Sequence, residues 1–216
     1  QTSSQINISL SDGSGGFSPP QSTGVAFGQE DLAVADIDAN GTLDIVTVEN
    51  DGTVNVLSGF GDGTFDNNSF FTGSDRQSVS IVDLDGDGNL DVVLDSTENS
   101  VVTVFPGIGD TTFGAPIDHL GGRSSDLIVG DANGDGRLDF LTLRDGTLTM
   151  LQNPDGSFAT RSSFETELSG FPRASISIAL DDLDGDGNSD LVSVTPFNTN
   201  AFVLNANGDG TFTDTT

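Results

Sequence analysis

Nine residues of this sequence, Asp83–Asp91, read DLDGDGNLD and carry four carboxylates with no basic residue among them. The phrase recurs with matched spacing at Asp36–Asp44, Asp131–Asp139 and Asp182–Asp190. Alternate side chains of a tightly turned loop can point inward together, and a Gly at the sixth position of each copy permits the sharp turn. Oxygen ligands without His or Cys select a hard cation, and several carboxylates in a flexible loop favour Ca²⁺ over Mg²⁺. The sequence therefore predicts about four calcium sites.

Positions 1, 3, 5, 7 and 9 of each copy are the predicted ligands, the seventh through its backbone carbonyl as in an EF-hand loop. Solvated Asp/Gly turns are the alternative interpretation, but four copies that all end in Asp favour a metal. The second and fourth copies keep four carboxylates and the first and third keep three, which predicts tighter binding in the former pair. The predicted metal residues are Asp36, Asp38, Asn40, Thr42, Asp44, Asp83, Asp85, Asp87, Asn89, Asp91, Asp131, Asn133, Asp135, Arg137, Asp139, Asp182, Asp184, Asp186, Asn188 and Asp190.

A second phrase, a Gly-rich turn closed by Phe, alternates with the acidic one. Short β-branched segments bounded by Gly, Asp and Asn separate the two phrases, and no segment shows useful helical periodicity. Each unit therefore contains four strands, A to D, with the acidic phrase as the A–B loop and the Gly–Phe phrase as the C–D loop. Such repeats predict an all-β fold, a β-propeller of four-stranded antiparallel blades. The predicted units are a half-blade at 1–23 with strands C and D only, and blades at 24–71, 72–119, 120–164 and 165–216. The half-blade indicates either a chain cut from a longer propeller or a sheet that pairs with something else, such as another copy.

The Phe residues that close the second phrase recur at every turn, which predicts core packing between blades rather than sugar platforms. They are Phe17, Phe65, Phe113, Phe158 and Phe212.

Charge and composition exclude several functions. The chain has 34 acidic and six basic residues and a formal net charge of −28, which disfavours nucleic acid and anionic membranes as partners. No apolar run approaches the ~20 residues of a membrane span. Cys is absent, and the single His, His119, adjoins Asp118 in a predicted surface connection with no nucleophile marked nearby. No enzymatic activity is expected.

A possible ligand face lies opposite the acidic loops. In the predicted blades five of the six Arg fall in D–A connections or a B–C turn, and the longest D–A connection also carries two Phe. Arg with exposed aromatic side chains suits sugars, carboxylates or peptide acids, so a glycan or protein ligand is predicted on this face. The residues are Arg76, Arg123, Arg161 and Arg173 in D–A connections, Arg144 in a B–C turn, and Phe164 and Phe171.

The alternating Asp and Gly–Phe phrases resemble FG-GAP/VCBS repeats, and Phe113–Pro116 reads FGAP. The resemblance covers essentially the whole chain and extends to the integrin α-subunit propeller, propeller lectins and bacterial surface proteins. It implies a calcium-binding β-propeller with Ca²⁺ in the four A–B loops. The departures are the half-unit at the start and the Asn residues at positions 40 and 133.

The family has members of different function, so several roles stay open at this point. An extracellular or cell-surface, bacterial adhesion or recognition module is one expectation, because calcium is abundant outside cells. A structural subunit of a surface assembly, self-associating through the half-blade, is a second. A non-catalytic appendage of a secreted enzyme is a third.

Overall fold

The computed structural model describes residues 5–24, 28–72, 78–96, 100–120, 126–144, 147–152, 160–165, 177–194 and 201–214. These residues form strands and connecting turns and contain no helix, and so none that is long and apolar enough to cross a membrane. The strands are β1 (Gln5–Ile8), β2 (Gln21–Gly24), β3 (Gln29–Ala35), β4 (Asp44–Glu49), β5 (Thr53–Gly59), β6 (Phe65–Phe71), β7 (Val79–Val82), β8 (Asp91–Asp95), β9 (Val101–Phe105), β10 (Ile117–Leu120), β11 (Asp126–Gly130), β12 (Asp139–Arg144), β13 (Thr147–Gln152), β14 (Thr160–Glu165), β15 (Ser177–Asp181), β16 (Asp190–Val194), β17 (Ala201–Ala206) and β18 (Phe212–Asp214).

Each repeat folds as one antiparallel four-stranded sheet in which strands follow one another in chain order. We call β3–β6 sheet 1, β7–β10 sheet 2, β11–β14 sheet 3 and β15–β18 sheet 4; β1 and β2 form a separate two-stranded sheet. The predicted all-β, four-stranded antiparallel organisation is confirmed. Three predicted limits between units cut a strand one residue short, at Gly24, Leu120 and Glu165.

The core lies between successive sheets, because strand residues alternate between the two faces. In β4, Ile45 packs toward the two-stranded sheet while Val46 and Val48 pack toward sheet 2. In β8, Val92 packs back on sheet 1 and Val93 packs forward on sheet 3. The two middle strands of these sheets are therefore buried on both faces.

The first strands of successive sheets contact one another, β3 with β7, β7 with β11 and β11 with β15. A backbone-to-side-chain hydrogen bond reinforces the first of these contacts, since Val79 N–H donates to Asp31 Oδ2 at 3.0 Å. We call these four the inner strands. Sheets stacked in sequence with their first strands adjacent make a propeller-like arrangement.

The Phe residues of the second phrase behave as predicted where a preceding sheet covers them. Phe65, Phe113 and Phe212 pack against the buried clusters between sheets. The prediction is wrong for Phe17, which is 72% exposed, because no sheet precedes the two-stranded sheet in the described part of the chain. Phe158 lies outside the described residues.

Candidate metal-binding loops

The first Asp of each acidic phrase holds its loop by accepting backbone N–H bonds. In the second loop, Asp83 accepts from Gly86 at 2.8 Å and from Gly88 at 3.0 Å. Asp carboxylates of the other loops accept bonds from the same part of their turns. The sixth residue has φ between 83° and 92° in all four loops, a left-handed conformation that explains why each copy carries Gly there.

The ninth Asp ties two loops together. Asp91 is buried, and it accepts the Leu84 N–H at 2.9 Å on one oxygen and the Gly107 N–H at 2.8 Å on the other. Leu84 belongs to the A–B loop and Gly107 to the C–D loop, so both loops lie at the same end of the sheet. The ninth Asp makes the same pair of bonds in sheets 1 and 4. This latch role was not predicted from the sequence.

Burial raises the pKa of the Asp91 carboxyl, and the negative charges of Asp85 and Asp87 add to that effect. The two backbone N–H bonds act in the opposite direction. A nearby cation would lower the pKa of this carboxyl, because a positive charge favours the ionised carboxylate.

Carboxylates at positions 1, 3 and 9 converge in three of the loops. One oxygen from each of the three residues lies within 4.8 Å of the others. Ligands of one Ca²⁺ sit about 2.3–2.6 Å from the ion, so two of them can be at most about 5 Å apart. The spacing and the all-oxygen donor set therefore fit calcium. The groups are Asp36, Asp38 and Asp44; Asp83, Asp85 and Asp91; and Asp182, Asp184 and Asp190.

The fifth position does not belong to the convergent groups, and its role as a metal ligand stays a prediction. Asp87 accepts the Asn89 N–H at 2.7 Å and the Asn89 side-chain N–H at 3.0 Å. Asp186 makes the corresponding bonds with Asn188. The carboxylate at this position therefore bonds N–H groups of its own turn.

The remaining predicted ligands at positions 5 and 7 of the first and third loops also make local bonds. Asn40 accepts the backbone and hydroxyl donors of Thr42, and Asp135 accepts the Arg137 N–H. Ligation through the position 7 carbonyl stays a prediction.

The third loop is the poorest in charge at the convergent positions. Its backbone bonds match those of the others, with Gly136 N–H donating to Asp131 at 2.8 Å. Its position 3 is Asn133. Positions 1, 3 and 9 therefore hold two carboxylates in this loop, Asp131 and Asp139, and three in each of the other loops. The predicted ranking of affinities stays a prediction; in geometry, the first, second and fourth loops share a group of three carboxylates.

The predicted ligand face is only partly described. Arg161 and Phe164 lie within β14, where they pair with Leu151 and Leu148, so their predicted place in a D–A connection is wrong. Segment 160–165 extends the β13 hairpin although its sequence is mostly polar. Arg144 is the last residue of β12, beside the B–C turn. The other predicted residues, Arg76, Arg123, Phe171 and Arg173, lie outside the described residues.

His119 also differs from its prediction as a surface residue in a connection. It lies in β10, is half-buried and has its ring centroid 5.9 Å from that of Phe140. Burial lowers the pKa of His119, and the neighbouring Asp118 carboxylate partly opposes this.

A cavity of about 310 Å³ opens between sheets 1 and 2 beside a C–D loop. Three aromatic rings form its wall, with Phe70 centred 5.1 Å from Phe105 and 6.2 Å from Phe113. An exposed amide and two Thr residues supply polar groups. The lining is Val56, Asn68, Phe70, Phe105, Thr111, Thr112, Phe113 and Gly114.

Comparison with known proteins gives one family and several solved structures. A model of the FG-GAP-like repeat matches residues 36–94 and 131–193, together more than half of the chain. No curated protein matches the sequence.

Among solved structures, an Agrocybe aegerita lectin, described as recognising non-reducing terminal N-acetylglucosamine, superimposes with a TM-score of 0.70 at 24% identity. The match covers 95% of this chain and 58% of the lectin, so the chain spans less than two thirds of the lectin's length. The Tc holotoxin pore of Photorhabdus luminescens matches at 16% identity and a TM-score of 0.48, over 97% of this chain and 13% of that one. The V. cholerae biofilm matrix protein Bap1 matches at 18% identity and a TM-score of 0.46, over 87% of this chain and 39% of that one. The first likeness supports the propeller-like fold.

Proposed function

The chain belongs to the FG-GAP-like repeat family, and on that premise we propose that it is a non-catalytic, extracellular recognition module that binds calcium and a glycan. Calcium would occupy the A–B loops and hold the scaffold. The glycan would bind between sheets 1 and 2. The sheets would form part of a β-propeller ring.

The calcium part of the proposal rests on the three convergent groups. Each brings three carboxylates to one point, and no Lys is present in the sequence to neutralise them. Three doubly charged ions would change the formal charge from −28 to −22. Extracellular calcium is abundant enough to fill even weak sites, which have Kd values of about 10⁻⁴–10⁻³ M in extracellular modules. This is the reason to place the protein outside the cytosol.

The cavity between sheets 1 and 2 is the observation that carries the glycan part. Its volume of about 310 Å³ lies at the small end of the range for ligand sites and suits a single sugar residue. The rings of Phe70 and Phe113 pack against the core but are only partly buried, so their exposed parts can contact the apolar face of a pyranose. The Asn68 amide, which can donate and accept, and the Thr hydroxyls can bond sugar hydroxyl or acetamido groups. The recognition of terminal N-acetylglucosamine by the structurally similar lectin supports the same ligand class.

Binding to a glycan array in calcium buffer tests this proposal, with two adjacent Asn residues as a matched pair. Asn68 and Asn67 are both exposed in β6, but alternate residues face opposite sides, and only the former lines the cavity. Asn68→Ala should lower affinity about tenfold, the cost of one or two polar contacts, while Asn67→Ala should bind normally. No glycan bound by the wild type, or equal binding by both variants, would contradict the proposal.

The same array distinguishes binding in this cavity from binding at the predicted ligand face opposite the calcium loops. A chain with both Arg161→Ala and Arg173→Ala retains the cavity between sheets 1 and 2. Loss of binding in that chain, with normal binding by Asn68→Ala, would move the site to the opposite face.

A further inference from the structure

The two surfaces that face each other across the cavity between sheets 1 and 2 carry acidic side chains beside its lining. On sheet 1, Asp66, Asn68 and Phe70 are alternate residues of β6 and therefore share a face. Asn68 and Phe70 line the cavity, and Asp66 is exposed about 7 Å further along the strand. One carboxylate therefore lies at the edge of the cavity on the sheet 1 side.

Sheet 2 contributes two more carboxylates. Asp110, in the C–D loop, accepts the N–H of Thr112 at 2.7 Å and its hydroxyl at 2.6 Å, and Thr112 lines the cavity. Asp118, in β10, accepts the Thr103 hydroxyl at 2.7 Å. Thr103 pairs with Asp118 and alternates with the lining residue Phe105, so Asp118 lies on the face of sheet 2 that borders the cavity.

The bond between Thr112 and Asp110 determines what this wall offers to a ligand. The Thr112 hydroxyl donates its one proton to Asp110, so only its lone pairs are left for a ligand. That bond, together with the bond from the Thr112 N–H, lowers the pKa of Asp110, which is therefore ionised at neutral pH. The wall accepts hydrogen bonds from a ligand and repels a negative charge.

No basic side chain of the two sheets offsets these carboxylates. The strands β3–β10 contain neither Lys nor Arg, and the loop 106–116 contains neither. His119 of β10 has its ring beside Phe140 of sheet 3, on the far side of sheet 2. The partly exposed rings of Phe70 and Phe113 add the negative faces of their π-systems, which attract a cation. Charge and aromatic character thus both favour a positively charged group.

We propose that the cavity between sheets 1 and 2 selects sugars that carry a protonated amine and rejects sugars that carry a carboxylate. The inference rests on the proposed glycan site and names its ligand class. An amine would donate to the Thr112 hydroxyl and lie near Asp66 and Asp110, whereas a sugar acid would meet lone pairs and like charge at the same place. A neutral N-acetylated sugar would bind with intermediate affinity.

Titration of three pyranosides that share one ring, followed by ligand NMR in calcium buffer, is the direct test. Glucosamine is the cation, N-acetylglucosamine the neutral sugar and glucuronic acid the anion. At about pH 6 the sugar amine is protonated, since amines beside electron-withdrawing groups have pKa values of about 8. Wild type should bind glucosamine more tightly than N-acetylglucosamine, and glucuronic acid most weakly.

Asp110→Asn removes the charge but keeps an oxygen that accepts the Thr112 bonds. It should bind glucosamine about threefold more weakly and glucuronic acid about threefold more tightly, the size of one exposed charge pair, and should leave N-acetylglucosamine within about twofold of wild type. Asp66→Asn, on the other sheet, should change the three affinities in the same directions. Salt should reduce the discrimination, because these charges are exposed.

Asp209→Asn is the matched control. Asp209 accepts the Thr211 N–H and hydroxyl in the C–D loop of sheet 4, as Asp110 does with Thr112, but it does not border the cavity. This variant changes the net charge equally and should leave the three affinities as in wild type. Equal effects of Asp209→Asn and Asp110→Asn would assign the discrimination to the charge of the whole chain and overturn the inference.

Two outcomes separate this inference from the glycan site on which it rests. Binding of all three sugars with affinities that neither Asp66→Asn nor Asp110→Asn changes would overturn the charge selection and leave the glycan site in place. Binding of none of the three by wild type would overturn both.

Discussion

Replacing Asp44 by Ala separates the latch role of the ninth Asp from its role toward a metal. The carboxylate is fully buried and accepts N–H bonds from Ile37 at 2.9 Å and from Gly59 at 2.8 Å. Both donors are buried and would lose their acceptor. An unsatisfied buried donor costs about 1–3 kcal/mol, so the free energy of unfolding should fall by about 4 kcal/mol even without calcium. For a chain of this length, that corresponds to a fall in melting temperature of about 8–16 °C.

Asp38→Ala is the control within the same loop. Asp38 also belongs to the convergent group, but its carboxylate accepts a single long bond, from Asn40 N–H at 3.2 Å, and that N–H also donates to Asp36. In EDTA the Asp38→Ala chain should therefore unfold within about 0.5 kcal/mol of wild type. In calcium both variants should lose the stabilisation that the ion supplies to wild type.

Urea unfolding followed by far-ultraviolet circular dichroism, in EDTA and at saturating calcium, measures these differences; the chain has no Trp or Tyr for fluorescence. Equal stability of wild type and Asp44→Ala in EDTA would refute the latch. A large loss for Asp38→Ala in EDTA would show that the loops depend on the whole carboxylate set rather than on the ninth Asp.

Four further outcomes are expected. At a calcium concentration about 100-fold above Kd, each site adds about 2.7 kcal/mol to the free energy of unfolding. EDTA should therefore lower the melting temperature by about 5–10 °C per occupied site. A melting temperature that does not change in EDTA would contradict calcium stabilisation. Asn133→Asp completes a third carboxylate in the third loop, and calorimetry should count one more tight site than in wild type. Burial lowers the pKa of His119 in the folded chain, so the unfolded chain takes up the proton first as pH falls. Wild type should therefore lose stability relative to His119→Gln below about pH 6.5. Urea midpoints of the two chains that change equally with pH would exclude this. Glycan binding measured in EDTA should be weaker than in calcium, by the same factor in wild type and in the Asn67→Ala control.

Local and repeated features were predictable from the sequence. The order of strands and loops follows from two sequence patterns that recur along the chain. Gly at position 6 indicates the left-handed backbone conformation that all four loops adopt there. The ninth Asp was foreseen only as a ligand, because its partner Gly107 lies 16 residues away and belongs to another phrase. A signal was present: the residue at that point is Gly or Ala in sheets 1, 2 and 4, and at Gly107 an added Cβ would meet the Leu90 carbonyl.

Other differences from the predictions arose where residues of the same type have different surroundings in the folded chain. Asp85 and Asp87 are identical side chains in one loop and both accept a backbone N–H of the turn, but only Asp85 belongs to the convergent group, and the three-dimensional turn decides this. Phe17 repeats the motif of Phe113 yet stays exposed, because its burial depends on a neighbouring sheet rather than on its own phrase. The polar segment 160–165 became a strand because β13 supplies a paired edge, a tertiary effect that propensity does not contain.

The alternation of the two phrases has a physical meaning in sheet 2. Asp91 belongs to a convergent carboxylate group, and its other bond holds Gly107, the first residue of the C–D loop. That loop continues through Asp110, which accepts the Thr112 N–H at 2.7 Å, to Phe113, and both Thr112 and Phe113 line the cavity between sheets 1 and 2. An ion that fixes Asp91 would thereby fix the loop that shapes the cavity. Calcium bound on the A–B side would then support ligand binding without touching the ligand.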